Sequence, residues 1–310
     1  AQNTFSSYLQ YDVNDEFANI LERRLIMRVQ RSRSDIYEEL LIWYYIHIGS
    51  FTNALVYAKA MDRRNNEDGV RVYRIGESAL ENQDFNAANN AFSYVVEKGR
   101  MYPYFVNARF SLLKVLYYQL EKGEITSQED IQNLENQYQT VISEYGISNR
   151  TVDVIVDFAH LQTFYMNKPT EAIELLEKAL KISVADNFKA RFMFELGNVY
   201  LYAKMPWDAS LTYARIEQNY PNLEITDEAK FKKAKVYFYL GEFNWAKDQW
   251  EILKGSPSKL IANDAIYWSY FIEENSGSDI SNQALKAYAC LLYTSPSPRD
   301  RTRSRMPSSA

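Results

Sequence analysis

Leu196-Gly197-Asn198-Val199-Tyr200, followed by Pro206, Ala209, Tyr213 and Pro221, is the stretch whose reading decides the fold. Gly197 sits inside a helix-compatible run, Phe188 to Ala203, where glycine costs about 1 kcal/mol relative to alanine. A cost of that size points to close helix contact, because a residue without a Cβ lets one helix lie near the next. Ala209 is the matching small residue on a second helix. Tyr200 and Tyr213 are large residues that fill the space beside the narrow contact. Pro206 falls where the second helix starts, where its missing N–H and fixed φ do no harm. Pro221 ends that helix, and Tyr220-Pro221-Asn222 reads as a turn. The stretch predicts two antiparallel helices built to stack on copies of themselves.

The copies are present on both sides. A first pair runs from about Asp35 to Arg63, with Gly49, Phe51 and Ala54 supplying the turn and the small residue. Val70 to Lys98 repeats the theme with Ile75-Gly76, Asp84-Phe85, Ala88 and Phe92. Arg100 to Gly146 is a longer pair with an insertion from Gly123 to Glu129, and Thr151 to Ile182 is a fourth with Ala159, Ala172 and Ala179. After the opening unit come Ala234, Tyr237, Gly241, Phe243, Ala246 and Trp250, and a seventh pair begins at Lys259. Pro103, Pro169, Pro206, Pro221 and Pro257 all fall between helix-like segments. Upstream, residues 14–31 read as a helix with Phe17, Ile20, Leu21, Leu25, Ile26 and Val29 on one face. Arg23, Arg24, Arg28, Arg31 and Arg33 give it a solvated basic side.

These residues fall at the L-G-x-x-Y … A-x-x-x-F … P spacing of a tetratricopeptide repeat (TPR), so the chain resembles TPR proteins, with Tyr213 in place of the usual Phe. The position of Gly197 is taken by Ile42, Gly76, Val115, Ala159 and Ala234 in the other units. Those steps equal or modestly exceed the about 34 residues of the repeat. The resemblance implies an all-α, right-handed α-solenoid of about seven antiparallel helix pairs over residues 14–289, after a lead-in over 1–13, as a fragment of a longer array. Glu39-Leu40-Leu41-Ile42-Trp43, Ala58 to Arg64 and Ser258 to Ala265 also resemble long TPR proteins of the Gram-negative, Bacteroidetes type. That second resemblance implies an envelope or secretion-related scaffold, periplasmic or associated with the outer membrane. The chain starts at Ala1 without an initiator methionine, which leaves the signal-peptide question open.

The last stretch is of another kind. Cys290 to Ser295 matches the translation of TGT CTC TTA TAC ACA TCT, Pro296 to Asp300 that of CCG AGC CCA CGA GAC, and Ser304 to Ala310 that of TCT CGT ATG CCG TCT TCT GCT. Residues 290–310 therefore resemble translated sequencing-adapter DNA, and are expected to be a disordered tail outside the fold. The tail holds Arg299, Arg301, Arg303 and Arg305 against Asp300, so the remainder is more acidic than the formal −5 of the whole chain. An acidic chain without a basic stripe argues against nucleic acid and against anionic membranes. The single cysteine, Cys290, lies in the tail, so residues 1–289 have no disulfide framework and no thiolate site. No hydrophobic run approaches the roughly 18–20 residues of a membrane span.

Chemistry-bearing residues are sparse. There are two histidines, His47 and His160. Asp157 and His160 share a helix face at i, i+3, yet no further His or Cys lies near enough in sequence to complete a metal site. Asp153/Asp157 and Glu273/Glu274 are acidic pairs without the cleft that acid–base hydrolysis needs. There is no Gly-rich phosphate loop, no G-x-S-x-G and no H-E-x-x-H. The expectation is no catalytic residue, no metal, no cofactor and no enzyme activity. Asn149-Arg150-Thr151 meets the N-glycosylation pattern, which recurs by chance.

Binding is the better use of this composition. In a TPR superhelix the concave face comes mainly from the first helix of each pair, near the glycine position. Here those residues are Tyr73 and Glu77; Leu112 and Leu116; Arg191, Phe194, Asn198 and Tyr202; and Phe231, Lys235 and Tyr239. An aromatic groove with a few charges suits an extended peptide or a partner helix. A carboxylate clamp needs a lysine where Phe194 stands, and its absence argues against that mode. The expected role is a non-catalytic interaction scaffold with a protein or peptide partner. Two alternatives are the accessory arm of an enzyme such as a cell-wall lyase, and a structural role through self-association.

Overall fold

The computed structural model describes residues 2–12, 14, 16–32, 34–276 and 282–294, and among these every regular element is an α-helix. Arg33 of the basic face and residues 295–310 of the adapter-like stretch lie outside the described residues. The chain divides into two compact units, residues 1–126 and 127–310.

The first unit holds α1 (Gln2–Gln10), α2 (Glu16–Arg31), α3 (Asp35–His47), α4 (Phe51–Asn65), α5 (Val70–Glu81), α6 (Phe85–Lys98) and α7 (Phe105–Glu121). From α2 onward each helix packs on the next, while α4 also meets α6 and α5 meets α7. That contact pattern makes two layers, α5 and α7 in one and α4 and α6 in the other. The lead-in is itself helical, and α1 packs on α2 and α3. Leu41, Ala54, Met61, Ala88, Phe92 and Val115 belong to one continuous buried cluster. Each fully buried Leu, Phe, Val or Met contributes about 1.5–3 kcal/mol. At Gly76 the layers come close: a Cβ there would stand 2.7 Å from Phe92 Cε1 and 2.8 Å from Ala91 Cβ.

Asp62 is fully buried near the end of α4. It accepts from the Gly69 N–H at 2.8 Å, the Tyr94 hydroxyl at 2.7 Å and Lys98 Nζ at 2.5 Å. One carboxylate thus ties α4 to the start of α5 and to the last turns of α6.

The second unit holds α8 (Gln128–Tyr145), α9 (Val152–Phe164), α10 (Pro169–Leu180), α11 (Asp186–Tyr202), α12 (Pro206–Asn219), α13 (Ile225–Tyr239), α14 (Phe243–Leu253), α15 (Lys259–Asn275) and α16 (Gln283–Thr294). From α8 to α15 each helix packs on the next, and α9 on α11, α11 on α13 and α13 on α15 form the second set of contacts. Pro169 and Pro206 each open the second helix of a pair, as expected of a residue that lacks an N–H. Lys168 Nζ reaches both carboxylate oxygens of the buried Glu135, at 2.8 and 2.9 Å, and joins α8 to the start of α10. The last helix departs from the pattern. It packs chiefly on α13 rather than on its expected partner α15, and it includes Cys290–Thr294, the start of the adapter-like stretch.

Five helix ends share one backbone device. At Gln83 (φ 63°) the Gln83 N–H reaches the Leu80 carbonyl at 3.0 Å, and the Asp84 N–H reaches Ala79 at 2.8 Å. The same double closure occurs at Gly49, Gly123, Lys204 and Gly241, all at positive φ. This is the Schellman arrangement, in which main-chain donors satisfy the carbonyls a helix end leaves open. Glycine takes that backbone conformation without a Cβ penalty, whereas glutamine does not. Gln83→Gly is expected to raise stability by about 0.5–1 kcal/mol, read as a higher urea midpoint at unchanged m-value. A lower midpoint would show that the Gln83 side chain contributes more than its backbone strain costs.

Candidate functional site

The candidate site borders a stripe of α13 that its neighbours cover only in part, Phe231 packing on Trp250 of α14 at 5.8 Å and Tyr239 on Tyr293 of α16. Ala229 and Val236 pack with Ala209, Tyr213 and Ile216 of α12. Ala234 and Phe238 pack with Phe243, Ala246 and Trp250 of α14. The remaining stripe is Phe231, Lys235 and Tyr239, spaced i, i+4, i+8 so that all three share one side of the helix. Beside it lies a cleft of about 1050 Å³. Asn187 and Arg191 of α11, Glu228, Phe231, Lys232 and Lys235 of α13, and Leu260, Ile261, Asp264, Tyr267 and Trp268 of α15 line it. Tyr288 and Leu292 of α16 form part of its wall.

Aromatic and charged groups are interleaved in this cleft. The Trp268 ring is held by Trp250, stacked at 5.6 Å, and by Phe238, edge-on at 5.2 Å. Tyr267 remains 60% exposed, so it is available to a partner. Lys235 Nζ lies 5.5 Å from the Trp268 ring centre and 5.9 Å from that of Tyr239, within the range of a cation–π contact. Arg191 Nη2 donates to Asp153 Oδ1 at 2.5 Å. Glu224, Glu228 and Asp264 are the carboxylates of the lining. Burial pushes the Glu228 carboxyl above the usual carboxylate range; Lys232 opposes that shift, and Glu195 and Glu224 add to it. The cleft thus carries groups of both charge signs among its aromatic rings.

The residues expected at the groove divide into three sets. Arg191, Phe231 and Lys235 come together in the cleft, and Tyr239 continues their stripe beneath α16, where its ring stacks on Tyr293 at 5.5 Å. Phe194 and Asn198 are buried, Phe194 against the Tyr213 ring. Tyr202 is half-buried against Phe164, with its hydroxyl donating to Asn167 Oδ1 at 3.2 Å. Tyr73, Glu77, Leu112 and Leu116 belong to the first unit. Tyr73 is buried on Phe92 and Tyr104, Leu112 and Leu116 are half-buried, and Glu77 is exposed.

The buried pair on α11 has a physical cause. His160 of α9 places Nδ1 2.8 Å from Glu195 Oε1. Asn198 Nδ2 donates to Glu195 Oε2 at 3.1 Å, and the Tyr213 hydroxyl donates to Asn198 Oδ1 at 2.8 Å. All four side chains are buried. A buried polar chain therefore occupies the second half of α11, the place where groove contacts were expected. Among the described residues no group of three or more His, Cys, Asp or Glu is placed to hold a metal ion. The Thr151 of the glycosylation pattern is buried too, its hydroxyl donating to the Gly146 carbonyl at 2.9 Å.

Comparison with known proteins adds the following. No protein-family model matches the chain, and no curated protein matches it. Among solved structures, it is similar to a signal-transduction ATPase with numerous domains that carries a tetratricopeptide-repeat sensor, from Pyrococcus horikoshii. The identity is 15% and the TM-score 0.53, over 95% of this chain and 47% of that one. The chain has the tetratricopeptide-repeat fold. Two further TPR structures align less closely. One is the C-terminal part of a TPR protein from Cytophaga hutchinsonii, with 16% identity, TM-score 0.48, and 86% and 98% of the two chains covered. The other is a TPR protein from Parabacteroides merdae, with 12% identity, TM-score 0.45, and 76% and 89% covered.

In TPR terms the cleft lies on the first helices of the last three pairs, α11, α13 and α15. Glu228, Lys232, Tyr267, Trp268 and Asp264 were missed by sequence reasoning. The signal for the α15 residues was present: Leu260, Asp264, Tyr267 and Trp268 recur at i, i+4, i+7 and i+8, the spacing of one helical face. Among the described residues no helix is long and apolar enough to cross a membrane.

Proposed function

We propose that the protein is a non-catalytic interaction scaffold that holds a peptide or protein partner on the first-helix face of α11, α13 and α15. One observation carries this reading: the cleft of about 1050 Å³ whose walls combine exposed aromatic surface with charged groups of both signs. Exposed aromatic rings that can reach a partner without losing many rotamers are the usual anchors of an interface. The resemblance to long envelope TPR proteins supports an envelope or secretion-related setting, which fractionation of the source cell would test.

The experiment for the binding reading is capture with chemical cross-linking. The full chain is used as bait alongside a Tyr267→Ala/Lys232→Glu variant and a Trp245→Ala control. Trp245 is 62% exposed on α14, away from the cleft lining. The expected result is a captured protein cross-linked to Lys232 or Lys235 and lost about tenfold or more in the cleft variant, with the control unaffected. Capture that survives the cleft variant and fails in the Trp245 control would move binding to the other face and sink the proposal.

A further inference from the structure

The first unit carries a charged surface that the scaffold reading leaves unused. Residues 23–31 of α2 include Arg23, Arg24, Arg28 and Arg31 and no carboxylate. On later helices three lysines each share a turn with an acid: Lys178 with Glu174, Lys230 with Asp227 and Lys254 with Glu251. The helix dipole favours cations within the last turn, which accounts for Arg28 and Arg31 but not for Arg23 and Arg24.

The fold turns these residues outward. Ala18, Leu21 and Leu25 form the buried side of α2, in one cluster with Leu41, Tyr44 and Tyr45 of α3. The Tyr44 hydroxyl donates to the Ala18 carbonyl at 3.0 Å and the Tyr45 hydroxyl to Glu22 Oε1 at 2.8 Å, which fixes the rotation of the helix. Ile20, Arg24, Met27 and Arg31 recur at i, i+4, i+7 and i+11 on the opposite side, with Arg23 and Arg28 beside them. All six are exposed. At the rise of an α-helix the row is about 16 Å long. Arg28 lies over the Tyr37 ring at 5.9 Å. Glu16 shares this side in the first turn, where the dipole favours an acid.

We propose that the outward side of α2 is a peripheral membrane contact that takes the phosphates of anionic lipid headgroups. Charge complementarity selects the anion, since the guanidinium fork of arginine matches phosphate oxygens at two points. The apolar residues select the lipid. Ile20 is 59% and Met27 38% exposed within the cationic row. Aliphatic groups gain little against a sugar–phosphate backbone or against carboxylates in water, whereas the boundary between headgroups and acyl chains takes both kinds. The net charge of −5 acts weakly at this face, because exposed charges more than about 8 Å apart are screened at physiological salt. The contact is made by the side of a helix and needs no spanning segment. It uses none of the residues that line the cleft, so it stands or falls independently of the scaffold reading.

The test is co-sedimentation of the full chain with vesicles at low salt. Phosphatidylglycerol mixed equally with phosphatidylcholine is compared with phosphatidylcholine alone. The expected result is binding to the mixed vesicles that is about tenfold or more tighter than to the neutral ones. Arg23→Gln/Arg24→Gln/Arg31→Gln is expected to lose about tenfold or more of that binding. A charge-matched control, Lys122→Gln/Lys178→Gln/Lys181→Gln, removes three exposed cations elsewhere on the surface and is expected to bind as the wild type does. Ile20→Ser/Met27→Ser is expected to weaken binding about threefold or more while its salt dependence persists. No preference for the mixed vesicles, or an equal loss in the lysine control, overturns the proposal. An unchanged apolar variant, or displacement by poly-glutamate or a DNA duplex at matched charge, overturns the lipid in favour of a general polyanion face. Displacement by glycerol phosphate at the concentration of the lipid phosphate overturns it in favour of a small-anion site. The comparison of the two vesicles needs no variant, so a variant that fails to fold leaves the test standing.

Discussion

Asp62→Ala is expected to destabilise the protein by about 3–5 kcal/mol, the cost of breaking a buried charge pair from one side. The carboxylate it removes is fully buried, and three donors converge on it from the α4–α5 turn and from α6. Alanine leaves the Gly69 N–H and the Tyr94 hydroxyl without that acceptor, and leaves the Lys98 ammonium, whose side chain is 14% exposed, short of a counter-charge. The contrast is Lys178–Glu174, 3.9 Å apart with both side chains about two-thirds exposed, a pair of the kind worth about 0–1 kcal/mol. Urea unfolding of Asp62→Ala beside Glu174→Ala measures both. A loss below about 1 kcal/mol for Asp62→Ala would show that water reaches the site and replaces the acceptor.

Gly197→Ala sets two effects against each other, and their sizes decide the sign. Alanine is favoured over glycine within a helix by about 1 kcal/mol. Against that, a Cβ at 197 would stand 2.5 Å from Tyr213 Cε1 and 2.7 Å from Cζ. Tyr213 cannot swing away cheaply, because it is fully buried and its hydroxyl is held by Asn198. Forcing a methyl into a packed contact costs about 1–3 kcal/mol through displaced side chains and backbone. The expected outcome is a net loss, seen as a lower unfolding midpoint with helix content retained at low temperature. A gain in stability would mean that α11 and α12 part without penalty, and the close contact would lose its role.

Much of this architecture is legible in the sequence because its constraints are local. Gly197, Gly76, Ala209 and Ala88 mark where two helices nearly touch, and the turn residues mark where pairs reverse. Both depend on residues close in sequence. What was not legible depended on contacts between pairs. Phe194 and Asn198 stand at groove positions by spacing, yet His160 of the preceding pair and Tyr213 of the same pair draw that part of α11 into a buried polar chain. The cleft lies one pair further on, where Phe231 and Lys235 were expected and Tyr267, Trp268 and Asp264 complete it. The tail shows the same limit. The codon match marks Cys290 as the start of a foreign stretch, and helix α16 runs on through Thr294.

The reversals carry a further consequence for how such a chain can diverge. Five of them are closed by main-chain N–H groups on main-chain carbonyls, and the residue at the bend is glycine in three cases, glutamine in one and lysine in one. A joint made of peptide groups sets few terms for the side chains that decorate it. Mutation can therefore rewrite most of each hairpin's surface while its trace persists, and the vocabulary left to identify the lineage shrinks to the few points where two helices touch. Kinship in a molecule of this kind is kept by its geometry long after its spelling has drifted.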